Sequence, residues 1–315
     1  MQENYTLFYG EKKQEDTFII KNMFENNEKI EIGWTEKEIT ENLKTIENKI
    51  KNDNEQIIFF GIEIGWAEMI RKIREKHKNP IKVICNTSDA LLYYDYERNN
   101  FFDLLKLSKE NIIDKIGFLK KGQYEVYKKK KYNSSYILEN YKLDSKYEIK
   151  NEKGKIKIGI YPLNYTWDKN IFNQLSVGKF IDNSIINYNE LDYKMTEFLK
   201  IMKINSKAQK INEQNIFNNI LENDINISCS FTEYLHTIFF LSMELGAPCI
   251  TGNNEDFLNS ELKEYLVVEA EDNPIKIAEK LNKCIQNKEK IMELYETWKK
   301  EYNKKAENSI KEFLD

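Results

Sequence analysis

The chain has 315 residues, with 48 Lys and Arg against 52 Asp and Glu for a formal net charge of −4, 41% hydrophobic and 13% aromatic residues. That is long for one domain and apolar enough for two cores, and the weakly acidic balance excludes a general nucleic-acid binder, which carries a basic footprint. Four scattered cysteines and two histidines give neither a disulfide framework nor a histidine metal centre, and no basic-then-apolar leader or 18-residue apolar run is visible, so the expected place is cytoplasmic, with peripheral contact at the inner face of the membrane left open.

Tyr5–Tyr9 predicts a short apolar strand ending at Gly10, and Ile30–Trp34 a second. Thr35, with Glu38 three residues on, predicts a capped helix over 35–52. Gln56–Phe60 is a continuous apolar strand of the kind buried on both faces. Gly61–Gly65 turns it into a helix, Trp66–Lys78, and Ile81–Cys85 is the next strand, running into Asn86-Thr87-Ser88-Asp89. Strand, helix and strand at this spacing make a βαβ unit and hence a parallel sheet. Leu91–Leu107 predicts an aromatic-rich helix, Ile112–Phe118 a strand, Lys120–Lys131 a helix and Ser134–Leu138 the last strand of this half. The basic run Tyr127–Tyr132 has two readings: a solvated helix end, its lysines at the negative end of the dipole, or a contact for anionic lipid or a polyanionic acceptor.

The polar stretch 140–155 sets the boundary between an expected domain over 1–150 and another over 151–315. Lys155–Tyr161 opens a second α/β series, with a loop over Pro162–Trp167 and a helix from Asp168 to about Phe180. Ser184–Tyr188 is the next strand, and helices follow over Asp192–Met202 and Glu213–Asn223. Ile225–Cys229 is a strand, Ser230–Thr232 a loop, and Glu233–Leu245 a helix that Gly246 ends. Cys249–Thr251 and Tyr265–Val268 complete the strands, Pro274–Gln286 is a helix with Pro in its first turn, and Lys288–Leu314 is a long charged helix with Tyr295, Trp298, Tyr302 and Phe313 on its apolar side. In an open parallel sheet ligands bind outside the carboxyl ends of the strands, and a helix beginning there aims amide groups and a positive dipole end at them. The loop Ser230–Thr232 is placed to take a diphosphate or a sugar hydroxyl. Ser230 and Glu233 also match a capping box, which gives Glu233 a structural reading beside the functional one.

Glu233, followed by Gly246-Ala247-Pro248-Cys249-Ile250, resembles the C-terminal half of the retaining, nucleotide-sugar-dependent glycosyltransferases of GT-B fold, the glycosyltransferase group 1 or family 4-like enzymes. The resemblance implies an α/β protein with two Rossmann-like domains facing a cleft and a last helix crossing back onto the first domain. It implies metal-independent transfer of a sugar, with no cofactor, from a nucleotide-sugar donor to a glycan, glycolipid or glycoprotein acceptor. Glu233 would contact the donor sugar and Lys169 its diphosphate, as the catalytic pair. Thr166, Asn170, Ser230, Thr232, Tyr234, His236 and Leu241 would line the donor site, and Ser88 and Asp89 the acceptor side. The sequence departs from the family at four points. Leu241 stands where a second glutamate holds the ribose, His236 where glycine is common, Thr166 or Trp167 where an arginine helps grip the diphosphate, and Glu11-Lys12-Lys13 where a glycine-rich loop follows the first strand. Two further readings follow from these departures: a non-catalytic glycosyltransferase-fold subunit in a homo- or hetero-oligomer, or a nucleotide-sugar epimerase of the same build.

Overall fold

The computed structural model describes residues 5–10, 20–30, 35–50, 52–141, 154–212, 215–233, 235–253, 258 and 260–315. The chain divides into two compact units, Met1–Asn140 with Lys304–Asp315, and Tyr141–Asn303.

The first unit is built on β1 (Tyr5–Tyr9), β2 (Asn27–Lys29), β3 (Gln56–Phe60), β4 (Ile81–Cys85), β5 (Lys115–Phe118) and β6 (Ser134–Tyr136), all parallel, in the order β2-β1-β3-β4-β5-β6. β3 is apolar on both faces because helices cover both faces, β4 is apolar but for Lys82, and Ile57–Phe60 and Ile81–Cys85 are buried throughout. The helices are α1 (Glu36–Lys49), α2 (Trp66–Lys76), α3 (Asp95–Lys109) and α4 (Lys121–Lys129). Thr35 and Glu38 form the expected capping box on α1. The strand expected over Ile30–Trp34 begins earlier, at Asn27, and residues 31–34 lie outside the described residues. The single helix expected over Leu91–Leu107 is two pieces, a 3-10 turn over Asp89–Tyr93 and then α3, because Tyr94 is extended at φ −80, ψ 127. The order reverses between β1 and β3, so the crevice of this unit opens beyond Tyr9 and Phe60.

The second unit repeats the plan with β7 (Ile156–Ile160), β8 (Ser184–Asn189), β9 (Ser206–Gln209), β10 (Ile225–Ser228), β11 (Cys249–Gly252) and β12 (Val267–Val268), in the parallel order β12-β11-β10-β7-β8-β9. That is the doubly wound order of a Rossmann domain, with its switch point between β7 and β10. Its helices are α5 (Ile171–Ser176), α6 (Tyr193–Ile201), α7 (Ile216–Leu221), α8 (Thr237–Glu244), α9 (Leu262–Leu266), α10 (Pro274–Gln286) and α11 (Lys288–Leu314). Pro274 occupies the first turn of α10, as the sequence predicts, and the structure adds Asn273 as its cap. Three elements differ from expectation. The helix expected over Asp168–Phe180 is broken at Asn170, whose φ is 51, into a 3-10 turn over Trp167–Lys169, α5, and a second 3-10 turn over Val177–Lys179. The strand expected over Tyr265–Val268 is the end of α9 followed by the two residues of β12. The helix expected from Glu213 starts at Ile216, with residues 213 and 214 outside the described ones.

A polar knot lies inside this second sheet. Asn187 Nδ2 donates to Asn223 Oδ1 at 2.8 Å, and Asn223 Nδ2 donates to Tyr161 Oη at 2.7 Å and to Asn226 Oδ1 at 3.0 Å. Gly159 makes room for it, since a Cβ there would stand 2.1 Å from Asn226 Oδ1.

α11 begins in the second unit and ends in the first. Its last carbonyls would be orphaned, as at any helix end, but first-unit side chains donate to them. Lys82 Nζ donates to the Phe313 carbonyl at 2.8 Å, Gln56 Nε2 to that of Leu314 at 2.8 Å, and Lys115 Nζ to that of Glu312 at 2.9 Å. Phe313 is fully buried.

Candidate donor site in the second unit

At the switch point two loops leave neighbouring parallel strands, the first after β7 and the second after β10. A backbone hydrogen bond joins them, Phe231 N donating to the Asp168 carbonyl at 2.7 Å. Two residues on each side of that bond now pair. Lys169 Nζ lies 2.7 Å from both Oε1 and Oε2 of Glu233, and both side chains are about nine-tenths buried. On the other side the rings of Trp167 and Phe231 stack at 6.2 Å, with Trp167 50% exposed and Phe231 37%. Alternation in the two loops thus gives a buried ion pair within and an aromatic rim without.

Asn170 holds the loops in place. In the left-handed conformation its side chain turns across the strand ends, and Nδ2 donates to the carbonyls of Cys229 at 2.9 Å and Glu271 at 2.5 Å. Asn is among the residues that tolerate positive φ, and this one has three polar contacts to show for it, since Oδ1 also accepts from Asn173 Nδ2 at 2.6 Å. Gln174 does the same from α5. Its Nε2 donates to the Lys169 carbonyl at 2.7 Å and its Oε1 accepts from Cys229 N at 3.1 Å. The third loop closes in behind: Glu271 Oε1 accepts from Asn253 N at 2.6 Å, and a Cβ on Gly252 would stand 2.8 Å from the Ser230 carbonyl. Asp168 is buried, and its Oδ1 has no hydrogen-bond partner among the described residues.

The capping reading of Glu233 does not survive. α8 starts four residues later than expected, at Thr237 with His236 at the cap position, and Glu233 turns to Lys169, 64 positions away in sequence. Two charges at hydrogen-bond distance outweigh a cap at a helix end by their mutual attraction in a desolvated site. Ser230, Thr232 and His236 are buried, and Thr166 Oγ1 donates to Asn164 Oδ1 at 2.6 Å within the β7 loop. Tyr234 lies outside the described residues. Leu241 lies on α8, which is buried from Thr237 to Met243, and is itself 1% exposed. Glu244, one turn on, is held by Tyr295 Oη at 2.7 Å and Lys299 Nζ at 3.0 Å, and so anchors α11.

Ser88 and Asp89 belong to the first unit, at the end of β4, where Ser88 is buried and Asp89 is exposed and accepts from Gln123 Nε2 at 3.0 Å. Sequence reading missed Glu63, which is buried in the glycine-flanked turn after β3 and accepts from the hydroxyl of Tyr96. An acidic residue between Gly61 and Gly65, both at positive φ, right after a buried strand, was the available signal. It also missed Asp168, Gln174 and the Trp167–Phe231 rim. Among the described residues no group of three or more His, Cys, Asp or Glu is placed to hold a metal ion.

No protein-family model matches the sequence, and no curated protein sequence matches it either. Solved structures do. Anabaena Alr3699/HepE in complex with UDP superposes with a TM-score of 0.66 at 10% identity over 98% of this chain and 97% of that one. The lipopolysaccharide outer core galactosyltransferase WaaB in its apo form gives 0.61 at 12% identity over 97% and 99%. Sucrose-phosphate synthase (tll1590) from Thermosynechococcus elongatus gives 0.63 at 10% over 91% and 79%. At these identities the likeness is one of fold, and the fold of this chain is GT-B, with two Rossmann-like parallel sheets.

Proposed function

We propose that the protein is a glycosyltransferase that takes a sugar from a nucleotide-sugar donor held in the second unit and passes it to a carbohydrate or lipid-linked acceptor. The observation that carries this is the buried Lys169–Glu233 pair at the switch point between β7 and β10. A diphosphate entering there competes for the ammonium of Lys169, and the carboxylate so released accepts hydroxyl hydrogen bonds from the donor sugar. In the transfer, the bond from the anomeric carbon to the diphosphate oxygen breaks and a bond from that carbon to the acceptor oxygen forms. The acceptor's hydroxyl proton leaves with the diphosphate. Negative charge grows on the leaving group, and a fixed cation already stripped of water stabilises it more than a solvated one would. The reading assigns retention of configuration and no metal, as the resemblance implies, and a hexose as the transferred sugar. The UDP complex of HepE supports a uridine nucleotide as the first donor to try.

The test is thermal stability against UDP, GDP, ADP and their sugars, followed by hydrolysis or transfer assays. Binding only to the folded state raises Tm by mass action, equivalent to about 2.7 kcal/mol at a hundredfold excess over Kd. One nucleotide should shift Tm, and Lys169→Met should abolish the shift and lower turnover by about 10²–10³-fold. No shift with any nucleotide at about a thousandfold above ordinary micromolar affinities would overturn the donor site. A second reading rests on Leu241. With a core leucine at that position, the ribose loses a carboxylate partner, and a subunit that keeps the fold without catalysis would bind acceptor or partner chain and ignore donors.

A further inference from the structure

α3 and α4 lie side by side on one face of the first sheet, joined by Phe101 against Tyr127 at 5.2 Å. Some lysines elsewhere meet carboxylates, as in Lys49–Glu28, Lys72–Glu68, Lys76–Glu47 and Lys276–Glu279. On this surface Lys106, Lys109, Lys121, Lys128, Lys129, Lys130 and Lys131 are all exposed, and none pairs with a carboxylate among the described residues. Three of them are backed by rings: Lys109 over Tyr132 at 5.9 Å, Lys128 over Tyr124 at 5.1 Å and Lys130 over Tyr127 at 5.3 Å. The nearby acids are largely spent, since Asp95, Glu110 and Asp114 are engaged by Arg98, Arg71 and Arg74. Asp103 and Glu125 remain. Lys109, Lys130 and Lys131 line a groove of about 400 Å³ together with Asn111, Asn133 and Asp114, the last already paired with Arg74. A chain of net charge −4 has concentrated unpaired positive charge on one helix pair.

Apolar groups share that surface. Among the described residues of the first unit three large apolar side chains are exposed, and Phe102 on α3 and Val126 on α4 are two of them, with Tyr93 just ahead of α3 as the third. Phe102 stands seven positions before Lys109, two turns along the same helix face. Duplex nucleic acid calls for the charge and has no use for an exposed Phe beside it. A bilayer surface takes both, the lysines against anionic headgroups and the aromatic and aliphatic groups at the boundary below. We propose that the α3–α4 surface docks the protein onto an anionic membrane. This rests on the first unit alone and stands whether or not the donor reading does.

The test is co-sedimentation of the whole chain with phosphatidylcholine vesicles, with and without about one third phosphatidylglycerol, at about 0.1 M and about 1 M salt, where the screening length falls from about 10 to about 3 Å. Expected are binding to the anionic vesicles at low salt, loss at high salt, and at least a tenfold weaker partition for Lys128→Glu/Lys130→Glu/Lys131→Glu. Phe102→Ser/Val126→Ser should weaken partition without removing its salt dependence. The same charge change placed on the second unit, Lys200→Glu/Lys203→Glu/Lys210→Glu, is the control, and far-ultraviolet circular dichroism and Tm establish that each variant folds. Absence of anionic-vesicle binding at low salt, or equal weakening by the control, would overturn the proposal. So would duplex DNA binding that the α3–α4 reversal removes while vesicle binding stays.

Discussion

Lys169 and Glu233 are worth more to each other than either is to the fold. Both charges are desolvated, so removing one strands the other, at a cost of about 3–5 kcal/mol, whereas replacing both with apolar groups of similar size is often neutral. Urea denaturation should therefore find Lys169→Met and Glu233→Gln destabilised and Lys169→Met/Glu233→Leu close to wild type. If the two single losses simply add in the double variant, the charges are not coupled and the pair is not the feature described. The four cysteines give a second expectation. All are buried, and burial pushes the thiols of Cys85 and Cys284 up to about 12 from an ordinary value of 9.0. A raised folded pKa means that the native state keeps protons the unfolded chain loses. Stability from this source is whole below about pH 9 and drains away toward pH 12, by at most about 1.4 kcal/mol per pH unit for each thiol. Lys82 works the other way, since burial lowers it to about 8 and its penalty is relieved between pH 8 and 10.5. The four raised thiols, together with the raised phenols of Tyr127, Tyr161, Tyr188 and Tyr295, outnumber the three lowered ammoniums of Lys82, Lys280 and Lys288 and should leave a net fall in Tm above pH 9, shallower in Cys284→Ala. Thiol reagents should label the native protein hardly at all and the unfolded protein fully.

Among elements, those with local signals were legible from sequence. The Thr35–Glu38 box, the helix expected over Asp192–Met202, the Pro274 first turn of α10 and the whole of α11 need only near neighbours, and the structure has each close to where its residues predict it. The misread elements are those that distant groups decide. Ser230-x-x-Glu233 has the spacing of a capping box, yet an ammonium from another loop takes the carboxylate and α8 gives up its first turn. Asn170 breaks an expected helix because its amide reaches Cys229 and Glu271, 59 and 101 positions away. Periodicity cannot register a partner so remote. The same distance makes Asn170 a sensitive point. Asn170→Ala would lose three polar contacts and pay for a positive φ besides, while Asn170→Gly would lose the contacts alone. Both should loosen nucleotide binding in the thermal-shift assay, with the alanine variant the less stable by about 1 kcal/mol. Equal stability of the two would mean that the left-handed turn carries no strain.

For the whole molecule, α/β alternation pointed to parallel α/β sheets and the family resemblance implied two Rossmann-like domains, whereas the order of the strands, which puts β10 beside β7 and β3 beside β1, came from the structure. Among the described residues no helix is long and apolar enough to cross a membrane. The two units share one element, α11, and this yields a further expectation. A chain ending at Asn303 should leave the first unit without Phe313 and leave Lys82 and Gln56 without the carbonyls they donate to. Scanning calorimetry should then show the first unit melting well below the second, while the second keeps its own transition. A single unchanged transition would show the helix end to be dispensable.

Synthesis runs from the N-terminus, and the last turns of α11 are made after the whole of the second unit. The ribosome must add the 163 residues from Tyr141 to Asn303 before the piece that completes the first unit exists. At about 5–20 residues per second that is a wait of roughly 8–33 s, during which the apolar seat of Phe313 stands open. The first half of this protein is thus finished only after the second, and a nascent chain that stalls short of its end offers chaperones and proteases an unfilled hydrophobic socket by which to know it.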